Sequence, residues 1–219
     1  MADVLYRRKR RPATGGMADA ALGYAALGWP VVRGAAPGED RACNCGRLGC
    51  PDPAAHPATM AWAVEAATDA DTIRRWWAAD PEANVILPTG RVFDVFDVPR
   101  EAGVMALARM GRAGVPAGPV AALRSRYLFF VATRSPVDED EWWSCHLDCV
   151  PEAIEDMPGL RWHCRDSFVL GAPSRLPGGD RVSWIRTPRD FEGSVVLPDP
   201  ITVLGILADA IEEFGGTGR

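Results

Sequence analysis

Apolar residues recur at helical spacing through ADAALGYAALGW, residues 18–29, and the PVV that follows reads as a short strand. Residues 34–60 break that pattern: they are polar, rich in Gly and Pro, and carry cysteines. A loop of that length inside a compact domain needs its own organiser. TDADTIRRWWAADP predicts a second helix, capped by Thr68 or Asp69 and stopped by Pro81. NVILPTG and RVFDVFDVP are strands rich in β-branched and apolar residues. EAGVMALARMGRAG is a helix ended by glycine, and PVAAL and YLFFVA form a hairpin or an adjacent strand pair. Residues 138–160 are acidic and aromatic, with DEDEWW at a helix start, and DSFVLGAPS and RVSWIR are two more strands. The last helix has Asp199 as N-cap and Pro200 at its first position. Its apolar face is Ile201, Leu204, Leu207, Ala208 and Ile211, and Gly215 and Gly216 end it. Helices interspersed with hairpin-like strands predict an α+β fold, a mixed or antiparallel sheet flanked by helices.

Residues 1–16 read as a disordered basic arm, and residues 17–219 as one domain with a metal loop at about 41–58. The run Arg7–Arg11 either touches nucleic acid or another anionic surface, or is a solvated tail; Met17 is an alternative start. A net charge of −5 argues against a broadly basic, nucleic-acid-coating surface but permits a local basic groove. Lys9 is the only lysine, so arginine is the default cation and a single arginine says little about phosphate binding. No apolar run approaches the ~20 residues of a membrane-spanning helix. The N-terminus lacks the apolar core of a secretory signal. The expectation is a cytoplasmic protein with no membrane partner.

Six cysteines in such a compartment point to metal or free thiols before disulfides. CNCGRLGCPDPAAHP supplies Cys43, Cys45, Cys50 and His56, a donor set suited to a closed, tetrahedral, structural zinc site. Gly46, Gly49, Pro51 and Pro53 let the backbone turn so that the four can converge. The alternative is three free thiols and a surface histidine. Cys145, Cys149, Cys164 and His163 form either a second metal site or buried thiols.

The stretch VFDVFDVP, residues 92–99, sets Asp94 and Asp97 in an apolar strand, where charges are rare unless paired or bound to metal. Residues three apart on a regular strand face opposite sides, so these two carboxylates cannot share an ion. Two-metal nucleotidyl transfer needs carboxylates on one face, and the positions two residues from Asp97 hold Val95 and Pro99. Asp94 is then structural or exposed, unless a bulge turns it to the same face.

ALGYAALGWPVV, the Cys/His loop, ATDADTIRRWWAADPEANVILPTG, FDVFDVP and FVLGAPSRLPGGDRVSWIR occur in an order that resembles the bifunctional DNA primase/polymerase (prim-pol) N-terminal domain of the archaeo-eukaryotic primase superfamily. The resemblance spans about residues 18–190. It implies an α+β fold around an RRM-like sheet, a divalent-metal site (Mg2+ or Mn2+) and template-directed joining of nucleotides. Asp97 matches the first aspartate of the family's Asp-x-Asp, and Pro99 stands at the second. The family's phosphate-contacting histidine is missing from RSRYLFFVA, which offers Arg124, Ser125 and Arg126. The third carboxylate falls near RWHCRDS, where Asp166 is close by.

The resemblance with these departures implies a degenerate active site. Asp97 would be a vestigial metal ligand, with nucleotidyl transfer weak or lost and Mg2+ or Mn2+ used only if activity survives. Binding of nucleotides or single-stranded DNA through Arg124 and Arg126 would be retained, unless those arginines are a solvated turn. Trp76–Trp77 and Trp142–Trp143 are available to stack bases or to pack in the core. The alternative is a zinc-stabilised protein-interaction or regulatory module with no nucleotide role; the acidic run Asp138–Glu141 favours a protein partner.

Overall fold

The computed structural model describes residues 16–38, 43–133, 159–189 and 195–216. The basic arm, Asp138–Glu141, Trp142, Trp143, Cys145, His146 and Cys149 lie outside the described residues.

The chain runs α1 (Met17–Ala25), β1 (Val32–Gly34), α2 (Trp62–Glu65), α3 (Ala70–Ala79), β2 (Asn84–Pro88), β3 (Phe93–Pro99), α4 (Arg100–Ala113), β4 (Val120–Leu123), β5 (Arg126–Ala132), β6 (Arg161–His163), β7 (Phe168–Leu170), β8 (Ser183–Arg186) and α5 (Pro200–Gly216). The fold is α+β, with its strands in two sheets ordered β1-β2-β7 and β6-β3-β5-β4-β8. All the pairings are antiparallel.

Local chemistry sets the element ends. Asp69 caps α3 by accepting a hydrogen bond from the Thr72 amide at 2.8 Å. Gly114, at φ +67°, closes α4 in the left-handed conformation that glycine adopts without cost. Asp199 accepts from both the Thr202 amide and its hydroxyl at 2.7 Å. The buried stripe of α5 is Val203, Leu207, Ala210 and Ile211, rotated from the sequence expectation, and Ile201 is exposed. The helix continues through Gly215.

Two apolar clusters sit on the faces of the five-stranded sheet. Phe96, Val98, Phe129 and Val131 face α4 and α5, whose surfaces meet through Ala106, Met110, Leu207 and Ala210. Arg109 of α4 also pairs with Glu213 of α5. Phe93, Val95, Leu128 and Phe130 face the other way, toward Trp29, α1, α3 and the three-stranded sheet. Trp29 stacks on Phe130, with centroids 5.5 Å apart. Trp77 belongs to this core and donates its indole N–H to the Ala83 carbonyl, while its neighbour Trp76 is half-buried under Arg33. Among the described residues, no helix is long and apolar enough to cross a membrane.

Candidate functional site: the Asp97 cleft and the Cys/His loop

Strand β3 pairs with β5 in unbroken register from Phe93↔Ala132 to Pro99↔Arg126. No bulge therefore brings its two aspartates together. Asp94, 2 % exposed, points into the helix-covered core, where the Trp162 indole N–H donates to its Oδ2 at 3.2 Å. Asp97, 6 % exposed, points to the opposite face with Leu128, its partner on β5. Asp94 is thus a buried structural carboxylate, and Asp97 is the one that reaches a cleft.

The cleft has a volume of about 530 Å3 and lies beside β3, β6 and the segment that leads from β6 into β7. That is within the usual range for a small-molecule site. Side chains on β6 alternate, so Trp162 turns toward the helix-side core while Arg161 and His163 share a face with Asp97. Arg161 Nη1 and His163 Nε2 each stand 3.9 Å from Asp97 Oδ2. Arg126 Nε donates to Asp97 Oδ1 at 2.6 Å, and its Nη2 donates to the carbonyls of Asp97 at 2.8 Å and Gly159 at 2.7 Å. His163 Nδ1 and the Ser167 hydroxyl share a hydrogen bond of 3.0 Å that fixes the ring. Arg165, Asp166 and Ser167 line the same cleft; Asp166 holds φ +58° at the bend.

These surroundings do not fit a divalent cation. The charged groups nearest the Asp97 oxygens are cationic, and Arg161 occupies the β6 position paired with Asp97. A second carboxylate on that face would be needed to offset the charge of a metal. Pro99, at the expected position of the second aspartate, instead forms the N-terminal boundary of α4. Of the arginines suggested by the sequence, Arg126 is tied to Asp97. Arg124, at φ +53° in the β4–β5 turn, pairs with Asp180 at 3.1 Å, away from Asp97; Arg126 and Arg161 reach Asp97 from the edge of the cleft and, like Arg124, do not line it. Sequence reasoning missed Arg161 and His163 as partners of Asp97. The signal was the alternation in RWH, but a three-residue strand beside an acidic segment gives little periodicity to read.

The Cys/His loop gathers as its donor set suggests. Ligand atoms of Cys43, Cys45, Cys50 and His56 all lie within 4.8 Å of one another. Cys43 Sγ is 3.6 Å from Cys50 Sγ and 3.5 Å from His56 Nε2. A tetrahedral zinc with bonds near 2.3 Å has ligand edges of about 3.8 Å, so those spacings fit; the 2.9 Å between Cys43 and Cys45 would open slightly. His56 Nδ1 bonds the Pro57 carbonyl at 2.8 Å, which selects the tautomer with Nε2 as the ligand atom. Backbone hydrogen bonds reach the sulfurs as well, from Cys45 and Ala54 to Cys43 and from Asp52 to Cys50. Burial pushes the Cys43 thiol up, but the contact with Cys45, the two backbone bonds and His56 outweigh it and bring it down to about 6. His56 is held above its ordinary value: burial lowers it, and its contacts with Cys43 and Pro57 more than compensate. The four residues can hold a zinc ion. Among the described residues no other such group forms, and Cys164 is buried and apart from it.

The loop is strapped to β1 at both ends. The Ala35 amide donates to the His56 carbonyl at 2.9 Å, and the Ala58 amide donates to the Arg33 carbonyl at 2.9 Å. Asn84, fully buried on β2, donates to the Ala54 carbonyl at 2.9 Å. Asp52 and Ala55 consequently form part of the wall of the Asp97 cleft.

Residues 21–200 match the protein-family model described as bifunctional DNA primase/polymerase, N-terminal. No curated protein gives a significant match to the chain.

Proposed function

Because the chain belongs to the bifunctional DNA primase/polymerase N-terminal family, we propose that it is a prim-pol-like domain whose nucleotidyl transfer is weak or lost and whose cleft still binds nucleotides or nucleic acid. The observation that carries this reading is the ring of Arg126, Arg161 and His163 around Asp97, the carboxylate that the sequence resemblance matches to the family's first aspartate. Such a site favours a phosphate over a divalent cation. Arg161 and His163 contact the phosphate. Arg126 holds Asp97 in place and screens its charge, and Arg124 meets a strand that leaves over the hairpin turn. Zinc in the Cys43–Cys45–Cys50–His56 site is structural, and Mg2+ or Mn2+ serves only if transfer survives.

Primer synthesis on single-stranded DNA with manganese or magnesium is the deciding assay. We expect no product above that of Asp97→Ala; abundant product that disappears in Asp97→Ala would overturn the reading. Binding of nucleoside triphosphates or oligonucleotides without added magnesium or manganese should persist, weaken with salt, and fall about tenfold in the Arg161→Ala/His163→Ala double variant.

A zinc-stabilised protein-interaction or regulatory module is the second reading. It is favoured by Leu48 on the metal loop and by Met60 and Val64 at α2, large apolar side chains that stand almost wholly in solvent. Absence of nucleotide binding, together with a co-purifying protein lost in Met60→Asp/Val64→Asp, would establish it.

A further inference from the structure

A structural zinc site needs only to close its loop, yet this one carries part of the cleft wall. Asp52 and Ala55, which lie between the ligands Cys50 and His56 in sequence, line the same cavity as Asp97, His163 and Arg165. Their position is tied to the metal ligands by direct bonds. The Asp52 backbone bonds the Cys50 sulfur, and the Ala54 backbone bonds the Cys43 sulfur. The Ala55 amide donates to the Asp52 carbonyl at 3.1 Å, which closes the turn. On its far side Ala54 is fully buried, at φ +61°, and its carbonyl is held by Asn84. Asn84 also donates to the Arg175 carbonyl at 2.7 Å and accepts from the Arg175 amide at 2.9 Å. Residues 52–55 are thereby fixed between four ligand atoms and a buried asparagine, while the Asp52 side chain remains exposed to the cleft.

The cleft is chemically divided. His163, Arg165 and Asp166 line one part beside Asp97, with Arg161 at its edge 3.9 Å from Asp97 Oδ2; Leu123, Leu128 and Phe168 give another part an apolar surface, and the metal loop contributes a further carboxylate. A carboxylate does not bind phosphate, and beside an apolar wall it accepts hydrogen bonds from N–H or O–H groups. We infer that the Cys/His loop is the specificity wall of the cleft, and that Asp52 reads the nucleoside part of the ligand by accepting a hydrogen bond from a base N–H or a sugar hydroxyl. The inference rests on the nucleotide-binding reading above. Zinc then governs ligand choice as well as folding, because it sets where Asp52 stands. Discrimination arises because a ligand without the matching donor leaves the carboxylate desolvated and unpaired.

The test compares equilibrium binding of ATP, GTP, CTP and UTP, and of their 2′-deoxy counterparts, to the zinc-loaded protein and its Asp52→Asn and Asp52→Ala variants. Asp52 is exposed, so both variants are expected to fold, and zinc content with far-UV circular dichroism checks this. The preferred nucleotide should lose about tenfold in affinity in Asp52→Ala, the others less, so that the preference flattens. Selective loss for the bases identifies a base N–H as the donor, and selective loss for the ribonucleotides identifies the 2′-hydroxyl. Removal of zinc should flatten the preference in the same way and zinc readdition should restore it. If the wild type binds nucleotides but Asp52→Ala keeps every affinity within twofold, the inference fails and the nucleotide-binding reading stands. If the wild type binds none of them, that reading fails and the inference with it.

Discussion

Replacing Asp97 by asparagine removes a negative charge from a cleft wall beside which Arg126, Arg161 and His163 stand. Phosphate-bearing ligands should therefore bind Asp97→Asn severalfold more tightly at low salt, the opposite of what loss of a metal ligand does. Titration calorimetry checks it, and weaker binding would contradict the cationic reading of the site. Replacing Arg126 by alanine has the reverse logic, because it leaves a nearly buried carboxylate without its main partner. Urea unfolding should register a loss of about 1–3 kcal/mol. Cys43 gives a pH dependence with a definite sign. Its folded thiol lies near 6, below the ordinary value of 9.0, so the unfolded chain binds the extra proton between those limits. Stability of the zinc-free protein from this group is complete above pH 9.0, falls as pH drops, and is gone below about 6. His56, held above its ordinary value, opposes this slope at the acid end, so the Cys43 share should show as a rise in apo-protein unfolding temperature toward pH 9.0 that a Cys43→Ser variant loses.

At the scale of elements, most of the fold was legible because its signals are local. Asp69, Gly114 and Asp199 end helices through bonds and dihedrals that their own residue types supply. β3 and β5 were legible as continuous apolar runs, since both of their faces are covered. The elements that were not legible depend on distant partners. β6 is three residues long and exists by pairing with β3, and the four-residue α2 holds its place as Trp62 packs edge-on against Phe168. The apolar face of α5 was misplaced because Ile201 is apolar yet near the helix start, beyond the reach of α4. The same distinction runs through the site: the metal loop was readable from donor spacing, whereas the arginine and histidine contacts of Asp97 are assembled across three strands. Gly90 shows how tightly these non-local contacts are set. A Cβ there would stand 2.3 Å from the Arg165 Cα, at φ +79°, so Gly90→Ala must shift the segment that carries Arg165, Asp166 and Ser167. Nucleotide binding should drop in Gly90→Ala even where circular dichroism still reports a folded protein.

For the whole molecule, the five-stranded sheet serves two cores that share its strands but not its side chains. Phe129 feeds the core under α4 and α5, and the next residue, Phe130, feeds the core of α1, α3 and the smaller sheet. Each Phe→Ala change should cost about 3–5 kcal/mol. The consequences for the cleft should differ, because its apolar wall continues from the core of Phe130. Phe130→Ala is expected to weaken ligand binding beyond its effect on stability, and Phe129→Ala to act on stability alone; equal effects on binding would contradict this division.

The metal loop leaves β1 and returns to it at nearly the same place, since Gly34 and Pro57 face each other as a bridge. An excursion whose two ends meet adds no constraint on the register of the sheet beneath it. Away from Ala54, which is buried and held by Asn84 of β2, its length and wall residues can therefore change while both sheets keep their pairing. On the inference that this loop is the specificity wall, it is the part of the scaffold where ligand preference could be altered by substitution without refolding the sheets.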